Sequence, residues 1–357
     1  MREAQAHPNE LPENIARFGL TEQKDLLAVA LACANKGSYT LLKHIGSFVL
    51  VRSEDRLAVA LACAEGCPHD HSVAQRIKNF GLTEPEDRFR VALACCRSDQ
   101  LINLAEHLPS LELTSHRFYE VASELVDMGV SPRELDVGQA DLHHRLALAQ
   151  RFASDSKQCI GLMRCIDKFK IESEAQRYAL AKTCLRTGQA LSLAHLSNFA
   201  IADPRQRFQL IDQAISQGIS SAYIMTYIEQ FGRLNSQDAL SVALHLAKKA
   251  PLEVAQNYSK FHIDDPVQKD QVVEACFRGD MDSRNLSVVL HFDLTKDKLL
   301  QYFHRSFGCG PTDQFFFYLK GVNVFNEAEM NQLLVRWVSR DPFGFMRAFK
   351  DGMPEIK

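Results

Sequence analysis

Long apolar runs are absent from this chain. None approaches the roughly 20 residues that cross a bilayer, and the opening stretch MREAQAHPNEL, Met1 to Leu11, lacks the apolar core of a secretory signal. Membrane insertion is not expected, and the chain reads as cytoplasmic. Proline and glycine are sparse, at 12 and 17 of 357 residues, which excludes collagen-like and low-complexity architectures. Neither sign of charge dominates: 41 Lys and Arg stand against 44 Asp and Glu, so no global basic field marks a binder of nucleic acid. Catalytic signatures are missing as well, with no G-x-S-x-G elbow, glycine-rich phosphate loop or H-E-x-x-H pair. The chain is expected to be no enzyme and to carry no cofactor. What it does have is apolar substance, 46% of its residues, enough for a large core.

That substance is periodic. Phe18-Gly-Leu-Thr-Glu, Phe48-Val-Leu-Val-Arg and Phe80-Gly-Leu-Thr-Glu lead into three similar stretches, LLAVALACA, RLAVALACA and RFRVALACC. The frame continues at Leu111, Val137, Phe169, Phe199, Phe231, Phe261, Phe292 and Val324. These anchors recur every 30 to 32 residues, apart from the 26 between Leu111 and Val137. Before an anchor, apolar residues fall on one helical face, as in Leu41, Leu42, Ile45 and Phe48. After it, Asp203-Pro204 and Asp265-Pro266 cap a second helix, as does the capping box of Thr83 and Glu86. Glycines 18 or 19 residues past the anchor, Gly37, Gly66, Gly129, Gly188, Gly218 and Gly279, are expected to end that helix.

Two short helices cannot bury their apolar faces alone, so the expected fold is all-α: an α-solenoid of about eleven helical-hairpin repeats with a period of 30–32 residues. The layout is similar to tetratricopeptide and pentatricopeptide arrays. Its period is shorter than the tetratricopeptide 34, and the W-x-x-L-G pattern is absent, so the resemblance is one of architecture. Four segments are expected: N-terminal repeats over 1–129, an irregular short repeat over 130–153 where the stack bends, central repeats over 154–310, and an aromatic C-terminal cap over 311–357. The cap contains Phe315, Phe316, Phe317, Tyr318, Phe325, Trp337, Phe343, Phe345 and Phe349, which close the core or form a patch that docks a partner.

Cys33, Cys63, Cys95, Cys184 and Cys276 all lie 15 residues past an anchor, and Ala30, Ala60, Ala92, Ala181 and Ala243 lie 12 past one. Both sets read as small buried residues between packed helices. Cys63, Cys67, His69 and His71 have a spacing that permits a tetrahedral metal site, but it matches none of the usual zinc patterns, and no metal is expected. His143 and His144 are adjacent in a helix and point apart.

Two polar columns carry the functional reading. Four residues before successive anchors stand His44, Arg76, His107, Arg133, Cys165, His195, Tyr227 and Asn257. Immediately before the anchors, every residue is polar, from Arg17, Ser47 and Asn79 to His291 and Asn323. Stacking turns equal positions into parallel stripes, which are a solvated face or the lining of a groove. His44, Arg76, His107, Cys165, His195, Tyr227 and Asn257 are the expected ligand groove of a non-catalytic scaffold for a protein or peptide. Single-stranded RNA is the alternative partner; against it, only residues 131–250 are basic, at +4, with −5 over 1–130 and −2 beyond 250. A third reading makes the chain the repeat region of a larger effector or enzyme.

Overall fold

The computed structural model describes residues 7–66, 73–98, 101–278, 288–306 and 325–340, together with 342, 343, 345 and 346. Among them every regular element is helical, and no helix is long and apolar enough to cross a membrane. Contacts divide the chain into two compact units. One holds Met1–Gly188 with Asn198–Ala200; the other holds Gln189–Ser197 with Ile201–Lys357.

The longer helices are α1 (Gln23–Ala34), α2 (Ser53–Gly66), α3 (Pro85–Arg97), α4 (Ser115–Asp127), α5 (Leu142–Ser154), α6 (Glu174–Ser192), α7 (Pro204–Ser216), α8 (Ser236–Ala247), α9 (Pro266–Arg278), α10 (Lys296–Ser306) and α11 (Glu327–Arg340). In the first unit α1 packs on α2, α2 on α3, α3 on α4 and α4 on α5; in the second α7 packs on α8 and α8 on α9. Ala30, Ala60, Ala92, Ala181 and Ala243 are buried, and so are Cys33, Cys63, Cys95, Cys184 and Cys276. A side chain at Gly66 would run into the Ala34 carbonyl at 2.6 Å, so α2 needs glycine there to lie against the end of α1.

Among the described residues the front segments depart from the single helix that their apolar spacing predicts. A short α-helix, such as Tyr39–His44, Leu101–His107, Cys159–Arg164, Ser221–Thr226 or Pro251–Gln256, gives way to a 3-10 turn ending on the anchor, as in Ile45–Phe48, Leu108–Leu111, Ile166–Phe169, Ile228–Phe231 and Tyr258–Phe261. Three residues per turn bring positions three apart into line, so Ile45 and Phe48, or Ile166 and Phe169, enter the core together. In seven repeats the residue where the pitch changes is the one four before the anchor. Its backbone lies in the bridge region between helix and strand: φ −107° at Asn14, −112° at His44, −114° at Arg76, −105° at His107, −133° at Cys165, −112° at Tyr227 and −114° at Asn257.

Immediately after seven of the anchors the chain turns left-handed. Gly19 and Gly81 adopt positive φ there, and so do Val49, Glu112, Lys170, Ala200 and His262, which have a Cβ to accommodate. Such a conformation disfavours an L-residue by about 1–2 kcal/mol, and it directs carbonyls of the turn away from any helix. An arginine eight residues past the anchor collects them. Arg56 donates to Leu50 and Val51, Arg88 to Leu82 and Thr83, and Arg177 to Ile171 and Glu172, all carbonyls of their own turns. The same guanidinium reaches the next repeat: Arg88 Nη2 donates to Glu112 O at 3.1 Å, Arg177 Nε to Phe199 O at 2.8 Å, and Arg207 Nη1 to Arg233 O at 2.9 Å. Lys269 takes this place with Asp293 O at 2.9 Å. At Gly232 an added Cβ would meet the Arg207 guanidinium at 2.9 Å, so glycine admits the clasp.

Three expectations are corrected. Gly188 does not end its helix, because α6 runs on to Ser192, whereas Gly37, Gly129 and Gly218 do take positive φ at or just beyond helix ends. Thr83 is not the cap of α3: Pro85, with φ suited to a first helical position, sets the start one residue later, on Glu84. In the short repeat the segment from Pro132 to Val137 forms turns and no regular helix, although Leu135 and Val137 are still buried. Gly279, Phe315, Phe316, Phe317, Tyr318 and Phe349 lie outside the described residues. Near the C-terminal end, Trp337 is fully buried with Phe303 and Leu333, and Phe345 meets its ring edge-on at 5.3 Å, while Phe343 is exposed.

The clasp gives a stability test. Hydrogen bonds from a charged donor contribute about 1.5–3 kcal/mol, so Arg177→Ala should lower the unfolding free energy in urea by about 2 kcal/mol or more. Arg177→Lys should recover little, because one ammonium cannot span carbonyls on two repeats. Wild-type stability of both variants would show that the guanidinium supports nothing.

Burial gives a second. It pushes the Cys33 thiol up to about 11 and the Cys276 thiol to about 12, from an ordinary 9.0, and raises Cys184 further. The folded state therefore holds these protons after the unfolded chain has released them. Their contribution is complete below pH 9 and is lost as pH rises through about 11 to 12. Between those limits the Cys33→Ala/Cys276→Ala variant should lose stability less steeply than the wild type in parallel denaturation series.

Candidate ligand groove

The two polar columns have different surroundings. Immediately before the anchor, side chains turn to the preceding repeat. Asn79 Nδ2 donates to Leu42 O at 2.8 Å, Ser110 Oγ to Ala74 O at 2.9 Å, and Asn198 Nδ2 to Met163 O at 2.9 Å. In each pair the acceptor lies six residues before its own anchor, two residues ahead of the pitch change. A carbonyl has two lone pairs, and tightening to i→i−3 bonding just beyond it leaves acceptor capacity that the neighbour's amide or hydroxyl uses. Lys168 Nζ donates to Arg133 O, and Gln230 Oε1 accepts from Ser197 Oγ at 2.6 Å. This column is therefore largely an inter-repeat fastening and is not the second wall of a groove.

The junction column is different. His44, Arg76 and His107, all in the first unit, are half-buried. Among the described residues no hydrogen bond or ion pair engages their side chains. They stand on 3-10 turns that are spatial neighbours, Ile45–Phe48 beside Ala74–Phe80 and the latter beside Leu108–Leu111. Arg133 is exposed, and its carbonyl holds Lys168. Cys165 belongs elsewhere: it is buried, and its Sγ donates to Gly161 O at 3.2 Å, so it offers no surface to a ligand. An apolar small side chain at the pitch change folds back on its own helix, where histidine and arginine are too long to do so.

His195, Tyr227 and Asn257 lie in the second unit and are half-buried. Tyr227 packs its ring on Tyr223 at 5.1 Å, and Asn257 Nδ2 donates to Glu253 O at 2.8 Å. Tyr227 keeps an aromatic face beside a second tyrosine, while Asn257 spends its amide on its own helix.

One constellation escaped the sequence reading. Ser115 Oγ lies 2.8 Å from Asp141 Oδ2 and 2.9 Å from His144 Nδ1, and the His144 ring stacks on Tyr119 at 4.7 Å. The residue types are those of a hydrolase triad, but Asp141 also approaches Nδ1, at 3.0 Å. A triad needs serine and aspartate on opposite ring nitrogens. Here both use one, and Asp141 caps α5 through His144 N at 2.9 Å. The cluster fastens α4 to α5, and the hydrogen bonds from His144 N and Ser115 hold the Asp141 carboxyl below its ordinary range. Cys67, His69 and His71 lie outside the described residues, and among those described no group of three His, Cys, Asp or Glu is placed to hold a metal.

No protein-family model matches the chain, and no curated protein or solved structure matches it either.

The columns should respond oppositely to truncation. Asn79→Ala removes a fastening and should lower stability by about 1 kcal/mol. His44→Ala and Arg76→Ala should each stay within about 0.5 kcal/mol of the wild type, as surface changes do. Chemical denaturation of the three variants measures both, and equal losses would remove the distinction.

Proposed function

We propose that the chain is an α-solenoid of helical-hairpin repeats that acts as a non-catalytic scaffold, holding a protein or peptide along its front segments. The reading rests on one observation. The junction residue has nearly the same backbone in seven repeats, yet its side chain varies among His, Arg, Cys, Tyr and Asn. A constant backbone with a changing, part-exposed side chain is how a repeat protein spreads recognition along its length. His44, Arg76 and His107 supply hydrogen-bonding and cationic groups in the first unit, and His195 with Tyr227 supplies them in the second. The acidic balance of residues 1–130 favours a protein or peptide over RNA, whose tracking groove is basic.

A chain with His44, Arg76, His107 and Tyr227 all changed to Ala should lose its partner in affinity purification from nuclease-treated extract while its melting point holds. Each single change should weaken binding by about 1–2 kcal/mol where it is a hot spot. Full partner recovery by the four-site variant would refute the groove.

A further inference from the structure

Three junction residues of the first unit share more than their place in the repeat. His44, Arg76 and His107 leave the chain from nearly one backbone conformation, with φ −112°, −114° and −105° and ψ 10°, 15° and 8°. Their Cβ atoms therefore point the same way relative to each 3-10 turn. Those turns are neighbours in space, and so are the long helices α1, α2 and α3. Helices packed side by side stand about 8–10 Å apart, which sets the step from one junction side chain to the next.

Charge separates along with this geometry. The front segments 39–48, 74–80 and 101–111 hold Lys43, Arg76 and Lys78 against Glu106, a balance of +2, although residues 1–130 together carry −5. Lys78 is paired with Glu112 at 3.2 Å. Arg76 is half-buried, and among the described residues no hydrogen bond or ion pair engages its guanidinium. Arg56, Arg88, Arg117 and Arg177 are half-buried in the same unit, and backbone carbonyls or Glu86 and Glu120 hold all four. A half-buried guanidinium has lost part of its hydration, and a carboxylate on two of its N–H groups replaces that loss well.

We propose that His44, Arg76 and His107 bind an acidic segment of a partner protein in the polyproline II conformation, with a carboxylate on every third residue and the central one on Arg76. The inference rests on the junction column being the binding surface, and it adds the class and conformation of the ligand. A polyproline II helix completes a turn in three residues, about 9 Å, and so keeps step with the repeats. A β-strand returns to one face after about 7 Å and falls out of step. Glu106, exposed beside His107, makes that contact the weakest of the three. Acidic residues at i, i+3 and i+6 occur nowhere in these 357 residues, so neither a segment of them nor a second copy supplies the ligand. Single-stranded RNA has a phosphate on every nucleotide, and away from the front segments residues 1–130 are acidic.

The probe is a fluorescent synthetic peptide of three Glu-Pro-Pro triplets, titrated with the full chain at low ionic strength. It should bind about tenfold more tightly than a peptide of the same composition with its glutamates two residues apart. Arg76→Glu should weaken binding by about tenfold or more while the melting point holds. A Lys-Pro-Pro peptide should reverse the preference and bind Arg76→Glu more tightly than the wild type, an exchange that a merely structural arginine would not produce. Equal affinity for the two spacings, or binding indifferent to Arg76→Glu, would overturn the proposal. So would tighter Arg76-dependent binding of a helical peptide with glutamates seven apart, or of oligouridylate. If the four-site variant loses its partner from extract while the triplet peptide fails to bind, the acidic ligand is wrong and the groove stands; if that variant keeps its partner, the groove itself is wrong.

Discussion

The turn between a front segment and its long helix is the constraint on which the rest depends. Entering it left-handed, at Val49, Glu112, Lys170, Ala200 and His262, is unfavourable for residues with a Cβ, and it leaves carbonyls that no helix can satisfy. The arginine eight residues on answers both difficulties. It holds the turn of its own repeat and, at Arg88, Arg177 and Arg207, a carbonyl of the next, so local strain is offset by an inter-repeat bond. Exposed salt bridges could not do this, since most are worth little; here the guanidinium is part-buried and its acceptors are fixed backbone. Where the clasp is made, anchor, turn and arginine keep set separations, the arginine standing eight residues past the anchor at Arg88, Arg177 and Arg207.

A second consequence is the division between the polar columns. A continuous α-helix would set both on one surface, one turn apart. The change of pitch separates them, sending Asn79, Ser110 and Asn198 to the preceding repeat and leaving His44, Arg76 and His107 without partners among the described residues. The residues that fasten neighbouring repeats and those proposed to recognise a ligand are therefore different sets, and the junction side chains can vary without loosening that fastening.

Much of this was legible in the residues. Anchor spacing foretold the helical elements, and apolar positions such as Leu41, Leu42, Ile45 and Phe48 are in the core as their spacing implied. The aligned cysteines and alanines are buried. The pitch change was not legible, because the bridge conformation at His44 or Tyr227 has no strong residue preference to betray it. Nor did composition separate the columns, since asparagine and serine look alike whether they meet water or a neighbouring carbonyl. Gly188 misled because glycine within a helix is disfavoured by only about 1 kcal/mol, which packing can outweigh. Arg56, Arg88, Arg145, Arg177 and Arg207 form a column as regular as the cysteines. That signal was present, and it becomes meaningful only once the left-handed turn shows what the arginines have to satisfy.

The junction residues combine a fixed backbone with a changing side chain, and that combination is available only because the clasp and the fastening column carry the mechanical role. Electron density for a crystal of the chain, resolved well enough to show peptide carbonyls, tests this most directly. The account predicts a break to 3-10 geometry at His44, Arg76, His107 and Tyr227, with the Arg88, Arg177 and Arg207 guanidinium groups on the turn carbonyls of two successive repeats. Unbroken α-helices through those four residues, or the arginines extended into solvent with the turns intact, would contradict it.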